Sequence, residues 1–219
     1  MQRVPLAERL RRRAHRDVAY AQDVLVAEVY EAFPDAVIHG GTAIWRCYGG
    51  TRFSEDVDVY APGEGSAPSV RLREGLSAKG VREVKFKATR STIFGRFELA
   101  GAQVSLEAAL RPAPARVVMP YETVGGGSML VGTLPAEELL AEKASAYLDR
   151  RKVRDLYDVF FLLGRVGDRT EVAGPLGELA AGYEPPVDPA QLKAVVLAGA
   201  VPTAEEMIEG IRRWAGRST

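Results

Sequence analysis

The chain has 219 residues, with 29 Lys+Arg against 29 Asp+Glu, two His and one Cys. At about 150 residues per domain this is one domain or two tightly packed lobes; the 47% apolar and 26% charged composition excludes a disordered or collagen-like chain. Zero net charge excludes a globally basic nucleic-acid binder, and a single cysteine excludes an internal disulfide or a Cys-rich zinc site. No apolar run approaches the ~18 residues that span a bilayer, and no apolar h-region follows the basic N-terminus, so the expectation is a soluble, cytoplasmic protein.

From Pro5 to Phe33 the spacing predicts one long amphipathic helix, with Leu10, Ala14, Val18, Ala21, Leu25 and Val29 three or four residues apart. Arg9, Arg11, Arg12, Arg13 and Arg16 crowd its start, and Pro34-Asp35 stops it. Ala36 to His39 is a short β-prone run, followed by a glycine turn at Gly40-Gly41-Thr42 and a short helix ending before Gly49-Gly50. Val57 to Tyr60 reads as the next strand, and Val70 to Lys79 as a helix closed by Gly80. Val81 to Ala88, Ser91 to Leu99 and Gln103 to Leu110 read as strands, with a turn at Gly101 joining the last two. Val117 to Met119 and Met129 to Val131 add edge strands around Gly125-Gly126-Gly127.

After Pro135 the period becomes helical: Glu137 to Asp149 and Arg154 to Leu163 are expected helices, with three shorter ones to follow. Arg150, Arg151, Lys152 and Arg154 form a second basic knot between them. The fold class expected is α+β, a mixed-sheet lobe over residues 1–132 followed by an all-helical lobe over 133–219.

Chemistry concentrates in Gly40-Gly41-Thr42 and, eleven residues on, Ser54-Glu55-Asp56-Val57-Asp58. Residues two apart on a strand share a face, so Asp56 and Asp58 project together. Two such carboxylates suit Mg²⁺, which takes a few carboxylates plus phosphate oxygens and water, and which can clamp the oxygens of a phosphoryl displacement. A Gly-Gly turn lets backbone amides approach phosphates, and the helix behind it adds a positive dipole end. Thr42 offers a hydroxyl at the same place, and together these parts describe a site for a nucleoside triphosphate. His39 reads as a strand-end side chain, and Trp45 and Cys47 as packing residues.

Gly40-Gly41-Thr42-Ala43 with Arg52-Phe53-Ser54-Glu55-Asp56-Val57-Asp58 resembles the signature of DNA-polymerase-β-like nucleotidyltransferases. More narrowly the chain is similar to the AbiEii family of abortive-infection nucleotidyltransferase toxins from type IV toxin–antitoxin systems. Glu142-Lys143 and the run Arg150-Arg151-Lys152-Val153-Arg154-Asp155-Leu156-Tyr157-Asp158 resemble that family's downstream motifs. The resemblance implies Asp56 and Asp58 as metal-binding carboxylates, and Gly40, Gly41, Thr42 and Ser54 around the triphosphate. It implies Lys143 as the group that neutralises the triphosphate's charge, and Asp155 as the one that orients Lys143 or the nucleophile.

Polymerase-like sites add a third carboxylate as general base, for which Glu107 is the candidate. On a continuous helix Lys143, Arg150 and Arg154 would share one face. The implied activity is Mg²⁺-dependent transfer of a nucleoside monophosphate from an NTP to an acceptor hydroxyl, the 3′ end of tRNA being one such acceptor. The implied protein is a growth-inhibiting toxin with a separately encoded antitoxin. Alternatives are a transferase acting on a protein side chain or small molecule, and a non-catalytic binding module of the same fold. A phosphate placed on Thr42 would add about −1.5 to −2 charges where the triphosphate must lie, and so silence the enzyme.

Overall fold

A computed structural model describes residues 5–63 and 67–216. The chain divides into two compact units: Met1–Cys47 with Phe53–Leu134, and Tyr48–Arg52 with Pro135–Thr219. Among the described residues no helix is long and apolar enough to cross a membrane.

The first unit is a mixed seven-stranded sheet with helices. Its opening segment is not one helix: a single turn, α1 (Leu6–Arg9), is separated from α2 (Arg13–Ala32) by extended residues, Leu10 at φ −87°, ψ 94° and Arg12 at φ −88°, ψ 130°. Leu6 and Leu10 are both buried, whereas Arg11, Arg12 and Arg13 offer no apolar contact to carry the stripe through. Burying the two leucines therefore outweighs continuous helix propensity. The strands follow as β1 (Val37–His39), β2 (Asp56–Tyr60), β3 (Arg82–Ala88), β4 (Thr92–Leu99), β5 (Ala102–Ala109), β6 (Val117–Glu122) and β7 (Ser128–Thr133), with α3 (Gly40–Arg46) and α4 (Ala67–Ala78) between them.

Sheet order is β3-β4-β5-β2-β1-β7-β6; β1 runs parallel to β7 and β2 to β5, and the other pairs are antiparallel. Thus β6 is an edge as expected, but β7 lies inside the sheet. Ala100 (φ 50°) and Gly101 (φ 87°) form the two-residue turn from β4 to β5, both in the left-handed region such hairpins require. α2 packs on β5 and α4, so Val57, Val59, Val104, Leu106, Ile93 and Phe97 on one sheet face are buried. The alternate residues of β2, β5 and β4 stand on the opposite face.

The second unit is helical: α5 (Ala136–Arg150), α6 (Val153–Leu162), α7 (Arg169–Ala181), a 3-10 turn at Pro189–Gln191, α8 (Leu192–Val195) and α9 (Ala204–Ala215). α9 opens on a capping box made by Thr203 and Glu206. Five residues from between α3 and β2 belong to this unit. Thr51 accepts a backbone hydrogen bond from Leu197 (2.7 Å), its hydroxyl meets that of Tyr157 (2.6 Å), and Arg52 forms a single bridge with Val196.

Candidate active site

The pleat of β2 turns Asp56 and Asp58 to the open sheet face while Val57 and Val59 go to the core. Parallel pairing sets Asp58 beside Glu107 and Asp56 beside Ser105, and antiparallel pairing sets His39 beside Asp58. With neighbouring strands about 4.8 Å apart, His39, Asp58 and Glu107 form one row across three strands. The His39 ring stacks on Tyr60 with centroids 4.2 Å apart. Asp56 and Glu107 are exposed and Asp58 is half-buried; Asp58, Glu107 and His39 line a cavity of about 350 Å³ that also reaches Phe94.

The glycines beside this row are not a turn preceding a helix; they are the first residues of α3 itself, and His39 is its N-cap. Gly40 has φ +68°, and a Cβ built there would overlap the Asp58 carboxylate. The position therefore requires glycine twice over, for backbone conformation and for space. Thr42 is fully buried, and its hydroxyl donates to the Asp56 carbonyl. Gln22, also fully buried on α2, donates from Nε2 to the carbonyls of Ser54 (2.8 Å) and Glu55 (3.0 Å), with the Thr42 hydroxyl 3.5 Å away. Thr42 and Gln22 thus clamp the segment that delivers the two aspartates.

The other end of α3 is anchored by Arg46, which is ion-paired with Asp23, donates to the Glu122 carbonyl (2.7 Å) and lies 4.5 Å from the Tyr121 ring centroid. Burial pushes the Asp23 carboxyl above its ordinary value although the Arg46 charge opposes this. Burial likewise pushes the Cys47 thiol up to about 12, so it stays a neutral packing group at pH 7.

In the helical unit a second charged cluster is closed around Asp155 and Asp158. Arg150 holds Asp155 by two bonds of 2.8 and 2.9 Å, and Arg52 holds Asp158 by two of 2.9 and 2.6 Å. The Lys143 ammonium lies between them, 3.4 Å from Asp155 and 3.5 Å from Asp158, with its side chain only 11% exposed. Burial would raise the Asp155 carboxyl, but the Arg150 hydrogen bonds and the Lys143 and Arg150 charges win and hold it below its ordinary value. Three cations face two carboxylates, which leaves the cluster net positive. Among the described residues no group of three or more His, Cys, Asp or Glu is arranged to hold a metal ion.

Comparison with known families gives the decisive match: the model of the AbiEii nucleotidyl transferase toxins of type IV toxin–antitoxin systems covers residues 23–194. The chain belongs to the AbiEii family. Among solved structures it is similar to JHP933 from Helicobacter pylori, at 21% identity and TM-score 0.63, covering 91% of this chain and 90% of that one. It is also similar to MenT4, nucleotidyltransferase toxin Rv2826c from Mycobacterium tuberculosis H37Rv, at 22% identity and TM-score 0.62, covering 93% of this chain and 84% of that one. No curated protein matches. At these identities the structural likeness shows the fold, and the family model shows a nucleotidyltransferase toxin.

In this AbiEii-family chain the residues expected at the site fall into two sets. Asp56, Asp58 and Glu107 share the open sheet face, with Gly40 against Asp58. Lys143 and Asp155 are brought together in the helical unit. The two helices expected here are separate, as Arg151 takes a left-handed conformation (φ 49°, ψ 40°) and Lys152 is the N-cap of α6, so Lys143, Arg150 and Arg154 do not share the face a continuous helix would give them. The break lets Arg150 fold back onto Asp155 while Arg154 stays exposed.

Sequence reasoning missed Gln22 and gave no role to Arg52 or Asp158. Gln22 was signalled all the same: it stands on the same stripe as Val18, Leu25, Val26 and Val29, a polar residue on an apolar face. A charged pair 106 residues apart leaves no comparable trace in the chain order.

Proposed function

We propose that this AbiEii-family toxin transfers a nucleoside monophosphate from an NTP to an acceptor hydroxyl at the 3′ end of tRNA, with Asp56 and Asp58 holding Mg²⁺. The observation that carries the reading is the row in which Asp58 stands beside Glu107, with Asp56 on the same open face and Gly40 leaving room for the Asp58 carboxylate. A donor set of two carboxylates, too small to cage an ion alone, suits Mg²⁺, which completes its shell with water and phosphate oxygens. When bound, the ion would neutralise phosphate charge at the reacting centre.

Glu107, exposed and in register with Asp58, would accept the proton of the attacking hydroxyl as the bond to the α-phosphorus forms and pyrophosphate leaves. Gly40 and Gly41 would let the backbone approach the triphosphate. Thr42 and the Ser54 segment act as positioning groups, since the Thr42 hydroxyl is buried on the Asp56 carbonyl. A modifying enzyme would therefore reach Thr42 only after the first turn of α3 opened. Lys143 would carry positive charge to the triphosphate, as the family pattern implies; Asp155 and Asp158 hold its ammonium, and because Arg150 and Arg52 already pair with those carboxylates, its charge is the one left over in the cluster. For an RNA acceptor the support is the exposed run Arg11, Arg12, Arg13 and Arg16, which suits a phosphate backbone.

The test is a transfer assay with Mg²⁺, each of the four labelled NTPs and total tRNA, run with wild type and Asp58→Ala. Label on RNA that disappears with Asp58→Ala, in a variant that melts like wild type, is the expected result. Label on protein, or on nothing, would overturn the tRNA reading.

A further inference from the structure

The open face that carries the carboxylates continues beyond them, and its far side is cationic. Register places Ser105, Arg96 and Lys85 in one row with Asp56, and Glu107, Phe94 and Lys87 in one row with Asp58. Lys85, Lys87 and Arg96 are exposed, and none of them forms an ion pair among the described residues. Arg82, one row further along β3, is instead held by Glu98 at 2.7 Å. Phe94 stands among these cations, half-buried, with the Lys85 ammonium 5.3 Å from its ring centroid and one edge of the cavity beside Asp58 and Glu107.

From β2 to β3 is three strand spacings, about 14 Å of open surface. A flat face that alternates cations with an aromatic ring suits a single-stranded polynucleotide, whose phosphates take the charges while a base stacks on the ring. It suits an acidic peptide less well, since a polynucleotide presents a phosphate and a flat ring in every unit, whereas a peptide does not repeat charge and ring in that way.

We infer that the open face of β5, β4 and β3 is the track for the single-stranded 3′ end of the RNA acceptor, with Phe94 beneath a base next to Asp58 and Glu107, and Arg96, Lys85 and Lys87 on its phosphates. The inference rests on the RNA-acceptor reading above. The track delivers a 3′-hydroxyl to the carboxylate row from one side of the sheet, leaving the Gly40 side for the NTP.

The experiment uses the full chain with total tRNA and an unstructured RNA oligonucleotide. Equilibrium binding is read across a salt series, alongside KM for RNA and for NTP in the transfer assay. Lys85→Glu/Lys87→Glu/Arg96→Glu is expected to weaken RNA binding more than about tenfold and to lower the salt slope by about 2, since each phosphate contact on a single strand contributes about 0.7. KM for NTP should stay as in wild type. The neutral set Lys85→Gln/Lys87→Gln, which avoids new charge repulsion at a sheet edge, should give a smaller loss in the same direction, and Lys85→Arg/Lys87→Arg should restore binding. Phe94→Leu should cost about tenfold in affinity with little change in slope.

If wild type labels RNA and the charge variants match its affinity and slope, the track is wrong and the acceptor reading stands. If wild type labels no RNA at all, the acceptor reading falls and the track falls with it.

Discussion

Gly40 is the residue where conformation and chemistry meet. A left-handed backbone costs an L-residue roughly 1–2 kcal/mol, and here the new methyl would also displace the Asp58 carboxylate. Gly40→Ala is therefore expected to lower transfer by about a hundredfold or more, the scale of loss for a misplacement near 1 Å, while the unfolding free energy falls by only a few kcal/mol. Steady-state rates beside urea denaturation would check this; a variant of unchanged activity would remove Gly40 from the site. Gln22 makes the complementary case, a buried donor with no chemistry of its own. Gln22→Glu keeps the shape but sets an acceptor against the Ser54 and Glu55 carbonyls, so it should lose about 3 kcal/mol and slow transfer through the loosened aspartates. The aspartates were legible in the sequence because a two-residue period on a strand is a local property. Gln22 was legible only as an exception within a stripe, and its partners were not.

Among the elements, the joint between α5 and α6 shows how a distant contact completes a break that the chain order already marks. The sequence separates the helices Glu137–Asp149 and Arg154–Leu163 by a basic knot, and there Arg151 turns left-handed and the chain re-enters a helix at Val153. Asp188 accepts from the Val153 amide at 2.8 Å, so the start of α6 is capped from 35 residues away. The break brings Arg150 onto Asp155 and makes that carboxylate a stabilising anion. Its value is held below that of an ordinary aspartate, so the unfolded chain takes up the proton first as pH falls. The stability it contributes is complete above the ordinary value and is lost as pH falls through the native one. Urea midpoints of wild type should thus decline from pH 5 to pH 3 more steeply than those of Asp155→Asn, which should already be weaker at pH 7. Equal slopes would show that Asp155 is not the titrating group. At the other end of the chain, by contrast, the stripe from Pro5 to Phe33 breaks so that Leu6 and Leu10 are buried.

At the scale of the whole molecule, the order of the chain and the composition of its units differ. Tyr48–Arg52 lies between α3 and β2 in sequence, yet it belongs with the helices, pinned there by Arg52 on Asp158 and Thr51 on Leu197 and Tyr157. Removing one member of a buried ion pair leaves the other unpaired, at a cost of about 3–5 kcal/mol. Arg52→Ala should therefore destabilise the helical unit by that amount, and Arg52→Lys should recover part of it, because lysine restores the charge but not the two-pronged geometry. Thermal unfolding followed by limited proteolysis of the helices would show it. A loss below about 1 kcal/mol would mean that the pair adds nothing to holding the segment.

The strands, the helices and the paired aspartates were written in local periods of two and about 3.6 residues, and the family in a few short motifs, so both could be read from the chain alone. Two things had no local signature: the place of β7 inside the sheet, and the closing of Arg52, Lys143, Arg150, Asp155 and Asp158 into one cluster. Each depends on burying charge or apolar surface against residues far away in sequence. The free energy that decides such burial belongs to the packed pair and to neither partner alone.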